Sequence, residues 1–145
     1  MTRREDAVAT MLAGYNCAQA VLSAMGPTLG LDRETCLRLT AALGGGLARS
    51  GNACGAVTGA LLAIGLARAG AEPTPESKEQ AYGPAGDFLA RWREHHGSLV
   101  CRDLAGCDVS TPEGLAFFRE HDVHDTTCAA LVRDAVELVD EVLGA

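Results

Sequence analysis

Apolar residues recur at helical spacing along most of the chain. Val8, Met11, Leu12, Tyr15, Ala18, Leu22 and Met25 form one stripe, which predicts a first helix over about residues 2–25. Gly26-Pro27 closes it. Asp32 is placed to cap a second helix carrying Leu37, Leu39 and Leu43. Gly44, Gly45 and Gly46 end that helix and form a flexible approach to a third, which runs to about Ala69. A fourth is predicted from Pro75 to about His95, with Tyr82, Ala85, Phe88, Leu89 and Trp92 on its apolar face and Gly83-Pro84 as a kink point. Ser98 can cap a short fifth helix, on which Cys101 and Leu104 face the same way. Thr111-Pro112-Glu113 reads as a cap followed by proline at the first helical position, with Leu115 and Phe118 anchoring the helix. Asp125 or Thr126 starts the last helix, whose stripe is Leu131, Val132, Ala135, Leu138, Val139 and Val142. No alternating run with hairpin turns occurs. The expectation is one all-α domain over residues 1–145, a bundle of about five to seven helices.

The stretch from Gly44 to Leu66 is the predicted centre. No charged residue occurs between Gly51 and Ala67, so this helix is read as buried. Ser50 or Asn52 can cap it, which would put Cys54 in the first turn. There the positive end of the helix dipole should favour a thiolate and lower its pKa. Gly55 and Gly59, like Ala56 and Ala60, lie four apart. Such small residues admit a neighbouring backbone. The plainer reading of Cys54 is a small buried apolar residue.

Composition narrows the function classes. Aromatic residues are only 4% of the chain, so the core must be built from Ala, Leu and Val. A formal charge of −7 argues against a nucleic-acid surface, which requires a basic patch. The segment MTRREDAVATMLAGYNC carries early acidic residues and no long apolar core, unlike a secretory signal. The uncharged central run is rich in Gly and Ala and is followed by Arg68, so it reads as a core helix rather than a membrane span. The expected compartment is the cytoplasm. Six cysteines in a reducing compartment point to metal binding, catalysis or redox chemistry rather than a stapled scaffold.

Four of the six, Cys17, Cys54, Cys101 and Cys128, fall on four different predicted helices and beside inward faces. Four converging thiolates can hold an iron–sulfur cluster or zinc, and two can form a redox disulfide. Four buried cysteines that never meet would leave the same spacing, and there is no CxxC pair. The chain also reads Cys54-Gly55-Ala56-Val57-Thr58-Gly59, with GYNCAQAVL at Cys17, GGGLARSG ahead of the motif, SLVCRDLAG at Cys101 and CAALVRDAVELVDEVL at Cys128. In these phrases it resembles the C-GCAxxG-C-C family, described as redox-active proteins with four characteristic cysteines. The resemblance implies that Cys17, Cys54, Cys101 and Cys128 are the functional set and that Cys36 and Cys107 are incidental. The motif is also similar to part of the split-Soret cytochromes, which carry an iron–sulfur centre beside their haems. This chain has no CxxCH, so covalent haem is not implied. The family's genes often neighbour transporter genes, which implies a transporter-associated partner.

Other motifs carry less. His124 and Cys128 are four apart and, with His121, offer a zinc ligand set; the alternative is a pair of solvated loop histidines. His95 and His96 close a helix, where a cation suits the dipole. Gly46 and Gly51 have phosphate-loop spacing, but Asn52 and Ala53 stand where Lys and Ser or Thr are required. Arg49 either holds a thiolate or bound anion near Cys54 or is a solvated loop charge. The leading expectation is a cysteine-based redox or electron-transfer protein with an unidentified redox partner, its four cysteines holding an iron–sulfur cluster or forming a disulfide. The competing classes are a non-catalytic zinc-binding domain and a helical interaction module whose cysteines are merely buried.

Overall fold

The computed structural model describes residues 1–144. Eight α-helices follow one another: α1 (Arg3–Leu12), α2 (Cys17–Met25), α3 (Arg33–Leu39), α4 (Gly55–Arg68), α5 (Pro75–His96), α6 (Cys101–Ala105), α7 (Pro112–Glu120) and α8 (Ala129–Leu143). A 3₁₀ turn (Gly26–Leu29) follows α2, and a π-helical turn (His124–Cys128) leads into α8. No strand occurs among the described residues. The one β-bridge is an isolated antiparallel pairing of Ala53 with Val100. The protein is an all-α single domain.

The helix expected over about residues 2–25 is in fact two. Gly14 turns at φ +106°, and Asn16 then starts a new helix. The Asn16 side chain accepts from the Gln19 N–H, and Gln19 accepts in return from the Asn16 N–H. This reciprocal cap satisfies two otherwise orphaned donors. The break rotates α1 against α2, so Met11 and Met25 are buried while Leu12 and Tyr15 are exposed. Asp32 caps α3 as expected, accepting from the Thr35 N–H. Thr111 caps α7 in the same way. Asn16 reaches further. Its amide donates to the carbonyls of Thr40 and Ala41, and Gln19 donates to that of Leu37. These bonds seat the end of α3 beside the start of α2.

α2 packs against α4 more extensively than any other helix pair. α8 closes the bundle against α1, α4, α2 and α5. The core is filled by Val21, Met25, Ile64, Phe88, Trp92 and Val136, all fully or almost fully buried. Trp92 donates its indole N–H to the Ser98 carbonyl at 2.9 Å, so its polar atom is satisfied. Tyr82, expected on the buried face of α5, is 65% exposed. Only the second half of that helix, carrying Phe88 and Trp92, contributes buried residues.

The segment between α3 and α4 is not a flexible approach. Gly45, Gly46, Leu47, Ala48 and Arg49 all have positive φ, between +49° and +73°, a left-handed turn of five residues. Left-handed geometry costs about 1–2 kcal/mol per non-glycine residue. Offsetting bonds run from Ala48 N–H to the Ala42 carbonyl, from Arg49 to Gly44, from Gly51 to Gly45 and from Asn52 to Gly46. Gly46 is required twice over: its φ is +69°, and a Cβ there would lie 2.5 Å from the Cys101 Cβ.

The close approach expected at Gly55 and Gly59 is present. A Cβ on Gly55 would lie 2.9 Å from both the Ala18 nitrogen and the Cys17 Cβ, and one on Gly59 3.0 Å from the Ala18 carbonyl oxygen. Gly59→Val must therefore push α2 off α4, at a cost of about 1–3 kcal/mol or more. Gly70, just beyond α4, is also crowded, because a Cβ there would strike the Ser77 hydroxyl. Gly65, on the same helix, has nothing within 4 Å. Gly65→Ala should keep or raise stability, by up to about 1 kcal/mol. Thermal unfolding of the two variants checks the contrast, and equal melting temperatures would mean that α2 does not press on α4 there.

Candidate functional site

The four cysteines of the motif set share a structural position that spacing alone did not reveal. Cys17 is the first residue of α2 and Cys101 the first of α6. Cys54 is the N-cap of α4, and Cys128 ends the π-helical turn directly before α8. Three of the thiols thus sit at a helix start, and Cys128 sits where a π-helical turn runs on into α8. All four line one cavity of about 500 Å³.

Local backbone pairing explains part of this convergence. At the lone β-bridge the Cys54 N–H donates to the Leu99 carbonyl at 2.8 Å, and the Cys101 N–H donates to that of Asn52. The bridge sets Cys54 beside Cys101. The contact of Gly55 with Ala18 and Cys17 sets Cys54 beside the start of α2. His124 ties in the last element: its Nε2–H donates to the Tyr15 carbonyl at 2.8 Å, and its Nδ1 lies 2.7 Å from Asp125 Oδ1. The turn bearing Cys128 is thereby pinned to the loop that precedes Cys17. π-Helical turns inside helices are frequent at functional sites.

All six cysteines are free thiols. Cys17 and Cys128 line the cavity close enough for their thiols to act on each other. The Cys17 thiol holds the Cys128 thiol below its ordinary pKa, against the opposing effect of burial. The Cys128 sulfur, together with burial, pushes Cys17 well above its ordinary value. The two sulfurs titrate as a pair.

Cys54 does not behave as expected from the helix dipole. Burial pushes its thiol up to about 11, although the N–H groups of Ala56 and Val57 act in the other direction. A helix start contributes roughly 0.3–1 kcal/mol. Desolvation of a buried charge is worth up to several pKa units of about 1.36 kcal/mol each, and it wins. Ser50 and Asn52 do not cap α4 either. They bond to each other and to the Gly46 carbonyl, which places Cys54 itself at the cap. Cys101 is pushed up to about 12, first by burial and then by Cys54 and Cys128. The acidic thiol of the set is Cys128.

Cys36 stays apart, packed against Gly26 with its S–H toward the Leu31 carbonyl at 3.5 Å. Cys107 does not. It lies outside the cavity lining but close enough to Cys101 and Cys128 for their charges to interact. A zinc set of His121, His124 and Cys128 does not assemble. His121 turns to the Phe117 carbonyl and stacks on that ring, while His124 is held by Tyr15 and Asp125. The four thiols suit iron–sulfur or zinc ligation in kind. In spacing they do not: no three Cys, His, Asp or Glu side chains among the described residues come together closely enough for one ion. Arg119 was not foreseen at the site, since no motif marks it; the left-handed turn lies within the GGGLARSG phrase, but its geometry was not foreseen. The cap Asn16 directly before Cys17 was the readable signal for a thiol at a helix start.

In reduced, folded protein, brief treatment with iodoacetamide over a range of pH should modify Cys128 at lower pH than Cys17, Cys54 or Cys101, because only the thiolate reacts. Cys17→Ala removes the thiol that lowers Cys128, and labelling of Cys128 near neutral pH should slow about tenfold per unit rise in its pKa. Peptide mass spectrometry reads both. Preferential labelling of Cys54 would restore the dipole as the dominant effect.

No helix among the described residues is long and apolar enough to cross a membrane. No curated protein and no solved structure matches this chain. A family model does match over residues 15–142, which include all four cavity cysteines. Its description is "Putative redox-active protein (C_GCAxxG_C_C)", and this chain belongs to the family so described.

Proposed function

We propose that the protein works by thiol–disulfide exchange, with Cys128 as nucleophile and Cys17 as resolving thiol. The observation that carries this reading is the placing of Cys17 and Cys128 together in one cavity, with the Cys128 thiol held below and the Cys17 thiol above its ordinary pKa. A thiolate at Cys128 attacks a disulfide sulfur and displaces one thiolate. Cys17, lining the same cavity, then attacks the Cys128 sulfur and releases the second thiol. Cys54 and Cys101 line the same cavity but hold their protons more tightly than Cys128. They form a second neighbouring pair, able to take over the disulfide once Cys17 and Cys128 are oxidised.

A second reading is an electron-transfer protein with an iron–sulfur cluster held by Cys17, Cys54, Cys101 and Cys128. Four thiols around one cavity support it; their spacing counts against it. When bound, a cluster would supply one-electron chemistry. Purification without oxygen, followed by iron analysis and visible absorption, separates the readings. A coloured, iron-loaded protein favours the cluster, and a colourless one loaded with zinc favours a structural metal. A colourless, metal-free protein that forms a disulfide favours exchange.

Under mild oxidation two thiols should disappear and peptide mapping should find Cys17 joined to Cys128. In Cys17→Ser, a small disulfide should leave Cys128 trapped as a long-lived mixed disulfide, which the wild-type protein resolves. A first disulfide that joins another pair would remove these two residues from their roles.

A further inference from the structure

The chain contains nineteen Asp and Glu residues against twelve Lys and Arg. None of the nineteen lines the cavity, yet two arginines do, Arg49 and Arg119. Neither arginine forms an ion pair among the described residues. Two acids close to the site are engaged by other groups, Asp125 by His124 and Asp108 by the backbone N–H and hydroxyl of Ser110, although the Asp108 charge still reaches Cys101. Both arginines are exposed, which places their charge at the cavity mouth. Deeper in, the wall is apolar, with Leu104, Val109, Leu115 and Phe118 beside the thiols. The left-handed turn holds Arg49, and the offsetting bonds on both sides fix that strained geometry. Sparsely populated backbone conformations of this kind cluster at functional sites.

From this sorting of charge we propose that the cavity admits a small anionic disulfide, its carboxylates held at the mouth by Arg49 and Arg119 and its sulfurs facing Cys128 and Cys17. The proposal rests on the exchange reading above and names its substrate class. A volume of about 500 Å³ is ordinary for a small-molecule site and too small for a folded partner to enter. Guanidinium groups match carboxylates in a two-bonded fork. A one-signed mouth over low-dielectric walls concentrates counter-charged ligands. The step balances as follows. The Cys128 thiolate attacks one sulfur of R–S–S–R, giving Cys128–S–S–R and one R–S⁻. The Cys17 thiolate then attacks the Cys128 sulfur, giving the Cys17–Cys128 disulfide and a second R–S⁻. Two protein thiols are oxidised, one small disulfide is reduced, and the two thiol protons end on the two R–SH products.

The test is a single-turnover comparison on the reduced full chain at low ionic strength. Three probes are used: the dianionic disulfide of mercaptopropionic acid, the neutral disulfide of mercaptoethanol, and dicationic cystamine. Each rate of protein thiol loss is divided by that probe's rate with free mercaptoethanol. The normalised rate should favour the anionic over the cationic probe by about tenfold or more, and added salt should shrink the difference. Arg49→Gln combined with Arg119→Gln should bring the ratio close to one. Arg4→Gln combined with Arg133→Gln removes the same charge from α1 and α8, away from the cavity, and should keep the preference. Arg119→Gln alone, on an exposed helix face, provides a partial loss if the double variant folds poorly. Equal normalised rates for all probes in the wild-type protein would overturn the anionic-substrate proposal while leaving exchange standing. A preference that survives in Arg49→Gln/Arg119→Gln would overturn the role of these arginines. If no probe produces a Cys17–Cys128 disulfide, the exchange reading fails first and this proposal falls with it.

Discussion

Where Gly55 and Gly59 of α4 meet the backbone of α2 at Ala18, no side chain intervenes. That contact sets the distance between the starts of the two central helices, and therefore between Cys17 and Cys54. Other links extend the same frame. The Ala53–Val100 bridge brings Cys101 to Cys54, and the His124 bond to the Tyr15 carbonyl brings the turn of Cys128 to the loop before Cys17. None of these links is strong alone, since a single hydrogen bond contributes only about 0.5–1.5 kcal/mol net. Together they depend on the packed α2–α4 seam, because well-packed interiors do not yield gradually.

The electrostatics of the site follow from burial more than from helix dipoles. Three thiols at helix starts suggest three acidic groups, yet Cys17, Cys54 and Cys101 are all raised. Only Cys128, beside the Cys17 thiol, is lowered. An enclosed set of sulfurs cannot all ionise, so the first proton lost determines which sulfur acts. The exclusion of carboxylates from the cavity lining is consistent with this, since each would add further repulsion to a developing thiolate. α7 forms one wall through Leu115, Phe118 and Arg119 but contributes no buried residue.

The helical class, the caps at Asp32 and Thr111 and the glycine face of α4 were legible in the sequence, because each follows from local residue chemistry or period. The break at Gly14 was masked by apolar residues that continue in helical register across it. The left-handed turn at Leu47, Ala48 and Arg49 was hidden because no side chain there announces positive φ; long-range bonds impose it. The four cysteines were singled out by their motif phrases, whereas their shared cavity depends on tertiary packing. The pKa of Cys54 was misjudged for a related reason. A helix start is visible in sequence, but the depth of burial that overrides it is not. Cys107 stands outside the motif phrases and was set aside, although the turn after α6 returns it to the neighbourhood of Cys101.

The central claim is that two of these sulfurs exchange a pair of electrons as a unit. Equilibration of the metal-free protein with a graded series of thiol–disulfide buffers measures this directly. The account predicts a single two-electron transition in which two thiols are lost together, without visible absorption, and which is abolished in Cys128→Ser. A one-electron transition accompanied by colour in protein purified without oxygen, or no transition across the range that oxidises ordinary dithiols, would contradict it.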